Sequence, residues 1–168
     1  MVILGIDPGL GATGYGVIDT SGSQLRLIDA GDIRPPRAHP LSDRLERIHA
    51  GLCELIQRHC PQTLVLEKLF THHEHVTTAA LMGHARGMAC LAAQEHGVTL
   101  AEYPPTQVKK SLTGNGHASK EQVARMAGQW LGRSDPSWSS DATDALALAL
   151  VHAHILLQRR NLPVGVDA

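Results

Sequence analysis

Aromatic side chains are almost absent from this chain of 168 residues, which has one Phe, two Tyr and two Trp. Its core must therefore be built from Leu, Ile, Val, Ala and Met, and a lone aromatic in a polar segment stands out. Cysteine is equally scarce. Cys53, Cys60 and Cys90 are odd in number and form no C-x-x-C. No disulfide framework is expected; these read as reduced thiols in helices of a cytoplasmic protein. No apolar run approaches the roughly 20 residues that span a bilayer. The start, Met1-Val2-Ile3-Leu4-Gly5, has neither the basic residues nor the cleavage site of a signal peptide, so no membrane association is expected. Positive charge is not in excess either: 15 Lys and Arg stand against 16 Asp and Glu, for a formal net charge of −1. Binding to nucleic acid by bulk attraction is thereby disfavoured. It would need basic residues concentrated locally, and Lys109, Lys110 and Lys120 are so placed.

What is present suffices for one α/β domain, expected over 1–160 and followed by a frayed tail at 161–168. Residues 2–7, 14–19 and 25–34 read as strands with short links, hence antiparallel neighbours. A helix is expected over 42–59 with Ser42 as N-cap and Pro61 as its stop. Residues 63–67 and 98–103 read as further strands, separated by a helix over 78–96 that Gly97 ends. Short helices at 106–112 and about 120–131, the second opened by the capping-box pattern Ser119-x-x-Gln122, precede a last helix over 141–160. Strands joined through helices should be parallel, so the sheet is mixed and five-stranded, flanked by helices.

Four carboxylates stand at element ends. Asp7 closes the first strand, Glu67 closes the fourth, and Asp141 and Asp144 share one face at the start of the last helix. Individually each has a plain structural explanation: a turn residue, an edge charge, or helix capping for the last two. Brought together, four acids repel unless a divalent cation neutralises them, and carboxylate oxygens suit Mg²⁺ and Mn²⁺. Such a site fits phosphodiester hydrolysis with two cations. Gly9 and Gly11, lacking a Cβ, would let a phosphate backbone approach Asp7.

Ile6-Asp7-Pro8-Gly9-Leu10-Gly11-Ala12-Thr13-Gly14-Tyr15-Gly16 resembles the opening of the RuvC family of Holliday-junction resolvases. So do Glu67-Lys68-Leu69-Phe70, Gly83-His84-Ala85-Arg86-Gly87, Glu102-Tyr103-Pro104-Pro105, Val108-Lys109-Lys110-Ser111-Leu112-Thr113-Gly114 and Asp141-Ala142-Thr143-Asp144-Ala145-Leu146-Ala147. The motifs run in order through about residues 1–158. The resemblance implies a ribonuclease H-like fold and a homodimeric endonuclease, dependent on Mg²⁺ or Mn²⁺ with two ions per subunit. The family nicks two strands of like polarity across a four-way junction, leaving 5′-phosphate and 3′-hydroxyl ends, in DNA recombination and repair. It also implies a partnership with the RuvA and RuvB branch-migration complex. The family's catalytic and metal-holding acids carry over onto Asp7, Glu67, Asp141 and Asp144.

By the same resemblance Phe70 is a stacking platform for an unpaired base; on sequence alone a packed loop anchor is equally open. Lys109 and Lys120 match basic positions near the cleaved strand, and Lys110 is a further DNA-binding candidate. Lys120 opens a helix, where its charge opposes the dipole, which is easier to understand if it faces an anion. Arg86 could pair with an acid or touch DNA. His72, His73 and His75 could contact DNA, bind a metal or remain solvated. Ala79, Gly83 and Gly87 repeat at spacing four and could seat their helix on the sheet or form a dimer contact. Two departures are visible: Gly11 stands where the family often has a basic residue, and Thr71-His72-His73-Glu74-His75 replaces a differently spaced loop. Competing readings are another ribonuclease H-like nuclease, a non-catalytic junction-binding module, and an actin-like or sugar-kinase fold, for which the chain is too short.

Overall fold

Apolar residues on both sides of the central strands force the sheet between two helical layers. The computed structural model describes residues 1–22, 24–68, 76–132 and 138–161. β1 (Val2–Asp7), β2 (Thr13–Asp19) and β3 (Arg26–Ile33) form an antiparallel meander. β4 (Thr63–Glu67) and β5 (Thr99–Tyr103) add in parallel on the other side of β1. The resulting order is β3-β2-β1-β4-β5, the mixed five-stranded sheet expected from the element sequence.

Alternation along each strand sorts the core. Leu4, Ile6, Val17, Leu64 and Leu66 face α1 (Leu41–His59) and α2 (Val76–Glu95). Ile3, Ile18 and Val65 face α3 (Pro105–Thr113), α4 (Lys120–Trp130) and α5 (Ser140–Asn161). Of residues 161–168, expected to be a frayed tail, Asn161 is instead the last residue of α5, and 162–168 lie outside the described residues.

One helix start differs from expectation. α1 starts at Leu41 with Pro40 as N-cap, while the Ser42 hydroxyl donates instead to Asp43 Oδ1 at 2.9 Å. It ends before Pro61 because Cys60 turns left-handed, at φ 46°, and its N–H donates to the Ile56 carbonyl. The α4 capping box forms as read, with Ser119 and Gln122 satisfying each other's backbone N–H groups.

α5 corrects the reading that no stretch could span a bilayer. Ser140–Gln158 is long and apolar enough by composition, with a mean hydropathy of 1.2. Its apolar residues serve the interior instead: Ala142, Ala145, Leu146, Ala149 and Leu150 are fully buried. α5 lies unusually close to β1 and β2. A Cβ on Gly5 would overlap the Ala145 carbonyl oxygen, and one on Gly14 would overlap the Asp141 carbonyl. Gly5→Ala is therefore expected to force backbone apart, at a cost of about 1–3 kcal/mol. A thermal melt should show the midpoint lowered by several degrees.

Candidate active site

β1 and β4 run parallel, with Ile6 opposite Leu66. Asp7 and Glu67, each one residue further on, therefore leave the sheet at the same edge. Asp7 pairs across β2 with Gly14, and the missing Cβ at Gly14 is what admits the Asp141 backbone. The start of α5 thus rests over the end of β1, and Asp141 and Asp144 join the two strand-end acids. The glycine that seats α5 and the strand that carries Asp7 are one local device.

Neither α5 acid is needed as a cap. Ser139 caps the helix: its Oγ accepts from the Ala142 N–H at 3.0 Å and donates to Asp32 Oδ1 at 2.6 Å. The Ser139 carbonyl also accepts from the Thr143 hydroxyl at 2.9 Å. This replaces the capping explanation of Asp141 and Asp144. Ser139, unread in the sequence, was visible there as a preferred N-cap type just before the helix.

The cluster is electrostatically frustrated. Asp7 is pushed up to about 7, first by burial, then by Asp144, Asp141 and Glu67, with Lys120 opposing. Glu67 is also raised, by burial and then by Asp144. Lys120 Nζ donates to Asp144 Oδ2 at 2.7 Å, and that bond holds the ammonium above its usual value. The Lys120 side chain is 72% exposed, so this pair contributes little to stability and leaves the amine free to reach outward. Lys120 and Lys109 together do not neutralise four acids.

Asp7, Glu67, Asp144, Lys109 and Lys120 line a pocket of about 340 Å³, with Met82 on its α2 side. Lys109 also lowers the Glu67 carboxyl. Lys110, next to it on α3, is exposed and lies outside the pocket lining. Arg86 has a structural role. It donates from Nη1 to the Glu67 carbonyl at 2.6 Å and pairs through Nη2 with Glu102. It thereby ties α2 to the ends of β4 and β5, beside the acids.

Three further readings need correction or placement. The Gly9 space is taken by the chain itself, since a Cβ there would meet the Ala12 carbonyl; it serves the turn rather than phosphate approach. At Gly11 the Arg37 guanidinium comes to 4.0 Å from where a side chain would begin, so a cation still stands at that position. Gly83 and Gly87 have nothing within 4 Å of a Cβ, so this stripe does not seat α2 on the sheet. Ala85, Ala89, Ala92 and Ala93 do that, buried on the opposite side of α2. Phe70, His72, His73 and His75 lie outside the described residues.

Acids at the carboxyl edge of a β3-β2-β1-β4-β5 sheet, completed by a helix laid across it, define a ribonuclease H-like nuclease domain. The family model for crossover junction endodeoxyribonuclease RuvC matches residues 3–152. The Bradyrhizobium diazoefficiens protein of that name is 46% identical over 152 residues, covering 90% of this chain and 86% of that one. The Halorhodospira halophila counterpart is 47% identical over 152 residues, covering 90% and 89%. Thermus thermophilus RuvC, solved in complex with a Holliday junction substrate, superposes with a TM-score of 0.84 at 36% identity, covering 95% of this chain and 96% of that one. The chain belongs to the RuvC family, whose members are metal-dependent nucleases.

Proposed function

We propose that this chain resolves Holliday junctions, nicking two strands of like polarity symmetrically to leave ligatable 5′-phosphate and 3′-hydroxyl ends. The observation that carries the reading is the pocket in which Asp7, Glu67 and Asp144 meet beside Lys109 and Lys120, in a chain matching RuvC almost end to end. Its five described strands form one sheet with helices packed on both faces, which supports residues 1–160 acting as one nuclease domain.

Asp7, Glu67, Asp141 and Asp144 are the proposed catalytic and metal-holding residues. Their donor set is oxygen only, which suits a hard cation. The Asp7 carboxyl is raised first by burial and then by its three acidic neighbours, so a bound cation would favour its ionised form. Mg²⁺ or Mn²⁺, two per subunit, would when bound activate the attacking water and stabilise the leaving 3′ oxygen. The chain's own part is placement. Arg86 anchors the Glu67 backbone, and the packing of α5 on Gly14 aligns Asp141 with Asp7. Lys109 and Lys120 in the pocket lining, with Lys110 and Arg37 outside it, are proposed to hold phosphates of the cleaved strand. Phe70, three residues beyond Glu67, would stack on a base left unpaired at the crossover.

Symmetric nicking needs two such sites, and the Ala79, Gly83, Gly87 face of α2 is the proposed homodimer contact. Leu91, one further step of four along α2, is 44% exposed and extends that face. Sedimentation at micromolar concentration should give a dimer, and Gly83→Glu should give a monomer. The RuvA and RuvB complex is the proposed branch-migration partner, and the cytoplasm the proposed compartment.

The deciding experiment offers a four-way junction, a linear duplex and an RNA–DNA hybrid in Mg²⁺ or Mn²⁺, with cuts mapped to the nucleotide. Paired cuts on the junction alone are expected. Preferential cleavage of the hybrid would identify a different ribonuclease H-like activity. Junction binding without cleavage in either metal would identify a binding module.

A further inference from the structure

A second set of metal-ligand side chains lies between α1 and α2, apart from the acidic pocket. His49 and Cys53 are four residues apart on α1 and so share a face. Glu95, in the last turn of α2, reaches the same point. His49 Nε2 lies 2.8 Å from Glu95 Oε2, Cys53 Sγ lies 3.6 Å from the same imidazole nitrogen, and Cys53 Sγ lies 4.0 Å from the same carboxylate oxygen. One nitrogen, one sulfur and one oxygen thus fall within 4.8 Å of one another. Zinc takes sulfur at about 2.3 Å and nitrogen or oxygen at about 2.0–2.2 Å in tetrahedral geometry. Those lengths require roughly 3.6 Å between sulfur and each lighter donor, and roughly 3.4 Å between nitrogen and oxygen. The sulfur–nitrogen separation already matches. The other two need changes of about half an ångström, within reach of a carboxylate that is 45% exposed at a helix end.

We propose that His49, Cys53 and Glu95 form a binding site for a borderline-soft divalent cation of the Zn²⁺ class, with the fourth position open to solvent. Thiolate and imidazole select such an ion over Mg²⁺, so the site and the acidic pocket take different metals. Binding would displace the Cys53 thiol proton to solvent, move the His49 imidazole proton from Nε2 to Nδ1, and replace the Nε2–H···Oε2 bond to Glu95 by one bond from each of those atoms to the ion. The consequence is a clamp between α1 and α2. Glu95 stands thirteen residues beyond the pocket residue Met82 on α2, which is about 20 Å along a helix. The clamp therefore holds the helix whose open face is the proposed dimer contact, without entering the active site.

Co²⁺ titration of the full-length, reduced protein tests this, because only thiolate ligation gives an intense near-ultraviolet charge-transfer band. One equivalent should produce that band together with the visible absorption of a tetrahedral site. Zn²⁺ should abolish both by displacement, and a large excess of Mg²⁺ should not. Cys53→Ser should remove the band, while His49→Gln and the exposed-site variant Glu95→Gln should each weaken Co²⁺ affinity at least tenfold. Cys60→Ser and Asp7→Asn should leave it unchanged. Circular dichroism identifies any variant that fails to fold, and Glu95→Gln keeps the test independent of such a failure. Absence of a thiolate band in wild type, or its persistence in Cys53→Ser, overturns the proposal. So does equal affinity in wild type and Glu95→Gln.

Discussion

Asp7→Asn abolishes junction cleavage while junction binding stays within a few-fold of wild type. Asp7 is where the acidic residues of β1, β4 and α5 act together: burial and three neighbouring carboxylates all press on it. The amide keeps the size of the side chain but cannot supply an anionic oxygen ligand. Metal-assisted hydrolysis draws several kcal/mol of transition-state stabilisation from the bound cation, which Asp7 is proposed to hold. A loss on the order of 10³-fold or more in rate is therefore expected, each tenfold being about 1.4 kcal/mol. Binding should survive because a carboxylate facing phosphates repels them, and the cations at the mouth, Lys109 and Lys120, are untouched. Single-turnover cleavage of a labelled four-way junction reads the first effect, and a mobility shift without divalent metal reads the second. Wild-type cleavage by the variant would remove Asp7 from the chemistry. Lost binding would mean that the substitution has damaged the fold.

The same substitution should stabilise the metal-free protein, and only at neutral to alkaline pH. Asp7 loses its proton near 3.8 when unfolded and near 7 in the fold. Between those values the folded chain holds a proton that the unfolded chain has released. Stability from this group is thus complete below about pH 4, falls as pH rises toward 7, and is flat above it. The loss is at most about 4 kcal/mol, from roughly three pH units at 1.36 kcal/mol each. Glu67, also raised, adds to it in the same direction. Asn carries no charge and escapes the penalty at residue 7. In chelator at pH 8 the variant should melt roughly 5–10 °C above wild type, and at pH 4 the two should nearly coincide. Excess Mg²⁺ or Mn²⁺ should close the gap at pH 8 by stabilising wild type selectively. A melting difference that is the same at pH 4 and pH 8 would show that the Asp7 carboxyl is not raised in the fold.

Both expectations follow from a conflict between stability and chemistry in one place. The fold gathers acids at a sheet edge where they repel, and a proton on Asp7 or a bound cation would relieve that repulsion. An isolated domain selected only for stability would not place Asp7 beneath the first turn of α5.

Much of this was readable along the chain. The strand alternation of Leu4 and Ile6 against Ile3 and Gly5, the short β-meander links and the Ser119 capping box depend on neighbours a few residues away. They were legible for that reason. The acids were legible as element ends, since Asp7 and Glu67 each close an apolar run. Other features depended on contacts across the fold. The Ser139 cap on α5 is local, but the bond that orients its hydroxyl runs to Asp32, 107 residues away on β3. The small-residue stripe of α2 does not face the sheet, because Ala85 and Ala89 occupy that side instead. The His49 and Cys53 pair shows the spacing of helical co-ligands, but its third donor comes from another helix.

The sequence by itself determined the element order, the mixed sheet, the placing of four acids at element ends and the family, because each is written in local patterns and ordered motifs. Only the tertiary structure decided how the acids are coupled, which lysines reach them, and which face of α2 is left open. Those outcomes depend on backbone approach at Gly5 and Gly14, on Ser139 rather than an acid capping α5, and on burial. They are properties of the packed chain that no short stretch of it contains.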